Sequence, residues 1–204
     1  MSITLLIIVF TVAISLLAFN NSKLMNDLIL WPAYMHQSPI QNYRLITSGF
    51  IHADYMHLAF NMITLYFFSD AISFYFDFYQ IDQSQLIILY LGAIIVANIP
   101  STIKNAKNNY YKSLGASGGV SALIFAAVYL SPWSEIKLFY ILPIPSIIFA
   151  IAYIAYCIYM DKKGQDNINH NAHLWGAIFG FVYMLIVVDP SKGGFFIDKL
   201  LMNN

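Results

Sequence analysis

The residue best placed for covalent chemistry is Ser117, in the run Gly115-Ala116-Ser117-Gly118-Gly119. Its neighbours are small enough to let backbone and substrate approach closely. A helix beginning there would put free N–H groups and the positive end of its dipole beside the hydroxyl, where they stabilise developing negative charge. The same run also reads as a small-residue helix-packing motif of the kind common in membranes. A nucleophilic serine needs a base, and His173 offers one, in Ala172-His173-Leu174-Trp175-Gly176-Ala177-Ile178-Phe179-Gly180. Gly176 and Gly180 fall three and seven residues after it, on nearly the same helical face, as a Gly-x-x-x-Gly contact surface. That face must pack close to another helix. If the partner is the Gly118-Gly119 helix, His173 reaches Ser117; otherwise it is a histidine bonded to backbone at a helix end.

A third cluster lies in His52-Ala53-Asp54-Tyr55-Met56-His57-Leu58-Ala59-Phe60-Asn61. His57 and Asn61, four apart, share a face and can donate side-chain hydrogen bonds, as an oxyanion hole requires. Interhelical hydrogen bonds that hold a bundle together would use the same pair. His52, His57, His170 and His173 are also conceivable metal ligands. However, the sequence has no His-Glu-x-x-His, and its one glutamate, Glu135, falls outside these runs. No metal and no cofactor are expected. Cys157, the single cysteine, sits in an apolar run and reads as a small buried filler.

The elements that must position these residues follow from composition. Of 204 residues, 59% are hydrophobic and 10% charged, against roughly 25% charged in a soluble domain. A water-soluble globule is excluded. Ten basic and ten acidic residues leave no excess charge for nucleic acid, so the partner to expect is the lipid bilayer. A span takes roughly 20 mostly apolar residues, or about 17 at the low end. Six stretches qualify or nearly so: Ile3 to Phe19, Tyr55 to Phe76, Gln83 to Ile103, Leu114 to Leu130, Leu138 to Met160 and Ala172 to Val188. The first has no Lys or Arg ahead of it and no Ala-x-Ala site, so it is expected to be a retained helix rather than a signal peptide. The expected fold is all-α and polytopic, one membrane-embedded domain over residues 1–204. The segment from Asn20 to Asp54, with Trp31, Tyr34, Tyr43 and Arg44, is too long for a passive turn and has the composition of a folded piece at headgroup level. From Gly115 to Leu130 there are 16 residues before Ser131-Pro132, or about 24 Å of helix. Such a short helix reaching one surface must begin inside the membrane, where non-helical backbone is tolerated only within protein or against a water-filled cavity. Ser117 stands at that cavity.

Four runs then fall into one pattern. Tyr43-Arg44-Leu45-Ile46-Thr47-Ser48-Gly49-Phe50-Ile51-His52, His57-Leu58-Ala59-Phe60-Asn61-Met62, Gly115-Ala116-Ser117-Gly118, and Ala172-His173 with Gly176 and Gly180 resemble, in order and at matching span ends, the rhomboid family of intramembrane serine proteases of the bacterial six-span type. The resemblance implies that Ser117 is the nucleophile and His173 the general base and acid. The oxyanion and substrate-binding groups would be His57, Asn61, Gly115, Gly118 and the Ser117 N–H. His52, Arg44, Gly176 and Gly180 would support the site. Rhomboids use no carboxylate to orient the histidine, and here the sixth stretch has no acid before Asp189. Residues Asp161 to Asn171 would cap the cavity. The second and fifth spans, the latter bent at Pro143 and Pro145, would flank the substrate's path. The substrate would be a transmembrane protein cut in or near its helix, with no cofactor. A relative that binds transmembrane helices without cutting them is the alternative.

One position departs from the pattern. Four residues after the nucleophile the family commonly places an aromatic that stacks on the histidine, and here Ser121 stands there. Localisation is expected in a bacterial inner membrane. The lysine distribution alone would put the N-terminus outside, whereas the family's orientation, adopted here, puts it in the cytoplasm with the active site toward the outer face.

Overall fold

The computed structural model describes residues 2–138, 141–164, 168–189 and 193–202. Helix α1 (Ile3–Phe19) is capped by the Ser2 side chain, which accepts the Leu5 N–H, and buries Thr4, Thr11, Ser15 and Ala18. Its large apolar residues Leu6, Val9, Phe10 and Leu17 point outward, each at least half exposed. Small and hydroxyl residues inside with large apolar residues outside is the reverse of a helix in water, and it suits a helix whose surroundings are lipid.

The connection that follows is a folded segment, built from α2 (Ser22–Leu28), α3 (Pro32–Gln37), a 3₁₀ turn (Pro39–Tyr43), α4 (Arg44–Thr47) and a second 3₁₀ turn (Ser48–Phe50). Arg44 holds it together. Almost fully buried, its guanidinium donates to the carbonyls of Asn26 (2.6 Å) and Ile29 (2.8 Å) and to Gln41 Oε1 (2.8 Å), satisfying carbonyls that the end of α2 leaves open.

Three helices follow: α5 (Tyr55–Phe78), capped by Asp54, α6 (Gln85–Lys104) and α7 (Ser117–Leu130). Helix α7 is the central column, with all its residues buried except Ser117 and Ala127. A hairpin of β1 (Glu135–Leu138) and β2 (Leu142–Pro145) leads to α8 (Ser146–Lys163), α9 (His170–Val187) and a C-terminal helix, α10 (Gly194–Met202). The core lies among α5, α6, α7 and α9, around Leu65, Phe76, Tyr90, Leu123 and Tyr129. Among the described residues, α6 and α9 are long and apolar enough to cross a membrane, and α1 and α7 are shorter apolar helices.

Two helix starts differ from expectation by more than two residues. The fourth stretch becomes helical at Ser117, not Leu114, because Gly115 has φ +116°, a conformation only glycine adopts readily, while Ser113 is drawn into an isolated bridge with Leu30. The fifth starts at Ser146, not Leu138. Residues before it pair as antiparallel strands, Glu135 with Pro145 and Lys137 with Pro143. Pro143 and Pro145 therefore lie in a strand and bend no helix. Proline cannot extend a helix backward but is tolerated in a two-stranded edge. Ser146 Oγ fixes the new start by donating to the carbonyls of Ser131 (2.7 Å) and Pro132 (2.9 Å).

Candidate active site

Ser117 is the first residue of α7, and His173 lies in the first turn of α9. What brings these helix ends together is the absence of side chains between them. A Cβ at Gly176 would fall 2.1 Å from the Gly118 carbonyl oxygen, and one at Gly180 would fall 2.1 Å from that of Ala122. The two helices are thus in backbone contact at the level of Ser117 and one turn deeper. Gly118 is tight on its other side, where a Cβ would meet Ala97 of α6 at 2.6 Å. A small recess in front of α7 is lined by Asn98, Ser113, Leu114, Gly115, Ser117 and Asn169, among others. Asn169, at the head of α9, caps that helix through its Oδ1 and donates from Nδ2 to Ser113 Oγ (3.1 Å), bridging the recess. Of the expected capping segment, residues 165–167 lie outside the described residues.

The backbone ahead of Ser117 is held from two sides. The Gly115 N–H donates to Ser48 O (2.9 Å), and the Ala116 N–H donates to His52 Nε2 (3.3 Å). His52 is fully buried, and its Nδ1 lies 2.9 Å from Ser15 Oγ, which itself donates to Phe50 O (3.0 Å). One tautomer satisfies the whole chain: Nδ1 carries the proton and donates to Ser15, leaving Nε2 to accept from Ala116. His52 therefore supports the backbone of the residue before Ser117.

The His57 ring stands over Gly115, where a Cβ would meet its Cε1 at 2.6 Å and its Nε2 at 2.8 Å. Its Nδ1 accepts the Ala53 N–H (3.4 Å), which leaves the proton on Nε2, the atom facing Gly115. Asn61, one turn on, gives one amide hydrogen to the His57 carbonyl (2.8 Å) and has a second to offer. Asp189 has no part here. It is buried at the far end of α9, accepting from Tyr129 Oη (2.6 Å) and the N–H groups of Gly193 and Phe195.

The missing aromatic at Ser121 is made good from another helix. Tyr153 of α8 stacks on the His173 ring, centroids 6.3 Å apart and planes within 10°. Ser121 Oγ, one turn below Ser117, lies 2.7 Å from the Tyr153 hydroxyl and fixes the tilt of the ring. Only the tertiary fold reveals this partner, because nothing in the spacing of Tyr153 distinguishes it from the other aromatics of its stretch. Tyr153→Ala is expected to lower kcat at least about 10-fold, while Tyr153→Phe, which keeps the ring and loses one hydrogen bond worth about 1 kcal/mol, should keep most of the rate. Equal losses in both variants would contradict a stacking role.

The other residue whose surroundings were hidden in the sequence is Cys157, one turn after Tyr153 on α8. Its Sγ and one ring nitrogen each of His170 and His173 all lie within 4.8 Å of one another.

A helical bundle of apolar exterior brings a serine and a histidine to two abutting helix ends, with two polar side chains beside them. Comparison with known proteins names the family: the rhomboid domain model matches residues 39–190, and the chain belongs to the rhomboid family, whose members are integral membrane proteins. It is similar to RHOMBOID-like protein 12, mitochondrial, of Arabidopsis thaliana, with 29% identity over 78% of this chain and 50% of that one. It is also similar to the Presenilin-associated rhomboid-like protein, mitochondrial, of Homo sapiens, with 32% identity over 69% of this chain and 36% of that one. A bacterial relative, "Putative rhomboid protease YdcA" of Bacillus subtilis, is 28% identical over 74% of this chain and 69% of its own. The chain spans half or less of the length of the two mitochondrial relatives.

Proposed function

We propose that the protein is an intramembrane serine endopeptidase working by a Ser117-His173 dyad, with α1, α5, α6, α7, α8 and α9 as its six membrane spans. The observation that carries this reading is the backbone contact of α7 with α9 at Gly118 and Gly176, which sets the two helix ends bearing the dyad side by side. The substrate is the transmembrane or juxtamembrane segment of a membrane-anchored protein. A helical peptide bond is shielded by its own hydrogen bonds and side chains, so the segment must unwind at the cut, and glycine or other poor helix formers favour that.

Ser117 Oγ attacks the exposed carbonyl while His173 takes its proton and then delivers it to the leaving amine. The oxyanion forms at the N-terminus of α7, where the Ser117 N–H, the His57 Nε2–H and the second amide hydrogen of Asn61 are available donors. Water arriving through the recess hydrolyses the acyl-enzyme, and His173 acts as base again. Stacking on Tyr153 takes the place of an orienting carboxylate. The active site is proposed to face the outer side of a bacterial inner membrane.

His57→Ala and Asn61→Ala are each expected to slow cleavage by on the order of 10²-fold, the usual scale for a single oxyanion donor, with KM little changed. The assay is cleavage of a single-span fusion substrate in liposomes. Wild-type rates in both variants would make these residues structural.

A further inference from the structure

The geometry points to a second property of the same helix ends: Cys157, His170 and His173 form a binding site for a soft divalent cation, and Zn²⁺ bound there switches the protease off. Cys157 comes from α8, and the two histidines come from α9, three residues apart on one face. Their ligand atoms lie within 4.8 Å of one another. Tetrahedral zinc with Zn–S near 2.3 Å and Zn–N near 2.0 Å holds its ligand atoms about 3.3 to 3.5 Å apart, so the widest pair, at most 4.8 Å apart, need close by no more than about 1.5 Å. Side-chain torsions supply that without moving either helix.

The surroundings favour metal over mere packing. The Tyr156 ring meets His170 edge-on at 5.4 Å, and His170 meets His173 edge-on at 5.8 Å, so both imidazoles are already held in fixed planes. Cys157 and His170 are buried, while His173 is partly exposed, giving the ion an approach from the dyad side. One thiolate with two imidazoles suits Zn²⁺ and disfavours Mg²⁺ or Ca²⁺, which require oxygen ligands. On binding, the Cys157 S–H bond breaks, its proton leaves to water, and sulfur and two ring nitrogens donate to the metal, with a water in the fourth position. No electron changes hands. Because His173 is a ligand, it is no longer free to take the Ser117 proton, and this inhibitory consequence rests on the dyad proposed above.

Binding and inhibition are tested separately. In detergent, the full-length Ser117→Ala protein is titrated with Co²⁺, and a thiolate-to-cobalt charge-transfer band, displaced by Zn²⁺, is the expected result. Adding Cys157→Ala or the near-isosteric Cys157→Ser should abolish the band. Absence of a band in the parent, or its persistence without Cys157, overturns the site, and neither readout requires catalysis. In the active protein, Zn²⁺ should inhibit cleavage reversibly by chelator. Cys157→Ser should keep the metal-free rate and raise the inhibitory Zn²⁺ concentration at least about 100-fold, the scale on which metal affinity responds to lost partners. Equal Zn²⁺ sensitivity with and without the thiol would overturn the inhibitory role.

Discussion

Ser117→Ala is expected to reduce cleavage by on the order of 10⁴- to 10⁶-fold, and His173→Ala by a similar factor, with the bundle still folded. The losses should be as large singly as together, because nucleophile and base act as a unit. Stability should change little in the serine variant. Ser117 is the first residue of α7, its side chain makes no cap, and alanine is a good helix former. A fluorophosphonate probe gives the sharper readout: covalent labelling of the wild type that disappears in Ser117→Ala identifies the nucleophile without any knowledge of the substrate. Labelling that survives the substitution, or substantial cleavage by either variant, would sink the dyad. No labelling of a folded wild type would favour a helix-binding relative that does not cut.

The second large effect is expected at a residue that does no chemistry. Gly176→Ala adds one methyl group, placed 2.1 Å from the Gly118 carbonyl oxygen and 2.9 Å from the Gly118 carbonyl carbon. Those are backbone atoms, with no flexible side chain to swing away. Helices α7 and α9 must separate by more than 1 Å. Overpacking of this kind costs about 1 to 3 kcal/mol or more, and a shift of that size between reacting groups costs about 10²-fold in rate. Thermal unfolding in detergent should therefore move down together with kcat. Gly164→Ala is the matched control. It caps α8 at φ +58° with nothing within 4 Å of a Cβ, so it should cost only about 1 kcal/mol in backbone strain and leave the rate nearly intact. Wild-type stability and rate in Gly176→Ala would show that the interface has slack, and with it that glycine there is not what sets the dyad geometry.

Ser117, His173, His57 and Asn61 stand out in the sequence because charge is scarce and each polar residue among long apolar runs needs a reason. Gly176 and Gly180 were readable because a helical period of 3.6 puts them on one face with His173. The stretch before Ser146 was misread, since apolar residues flanking Pro143 and Pro145 satisfy a hydropathy count whether they form a helix or a hairpin. The start of α7 was placed too early for a related reason: hydropathy does not register the left-handed backbone at Gly115.

The sequence by itself determined the medium and the family and singled out the candidate site residues, because these depend on composition, on local periodicity and on short runs of neighbouring residues. Only the tertiary structure decided what orients His173. Tyr153 lies on a different helix, and Ser121 becomes meaningful only when its hydroxyl meets that of Tyr153 across an interface. Helical spacing fixes which residues of one helix share a face. It carries no information on which faces of two helices meet, and that is set by glycine-lined contacts such as those of Gly118 with Gly176 and Ala122 with Gly180.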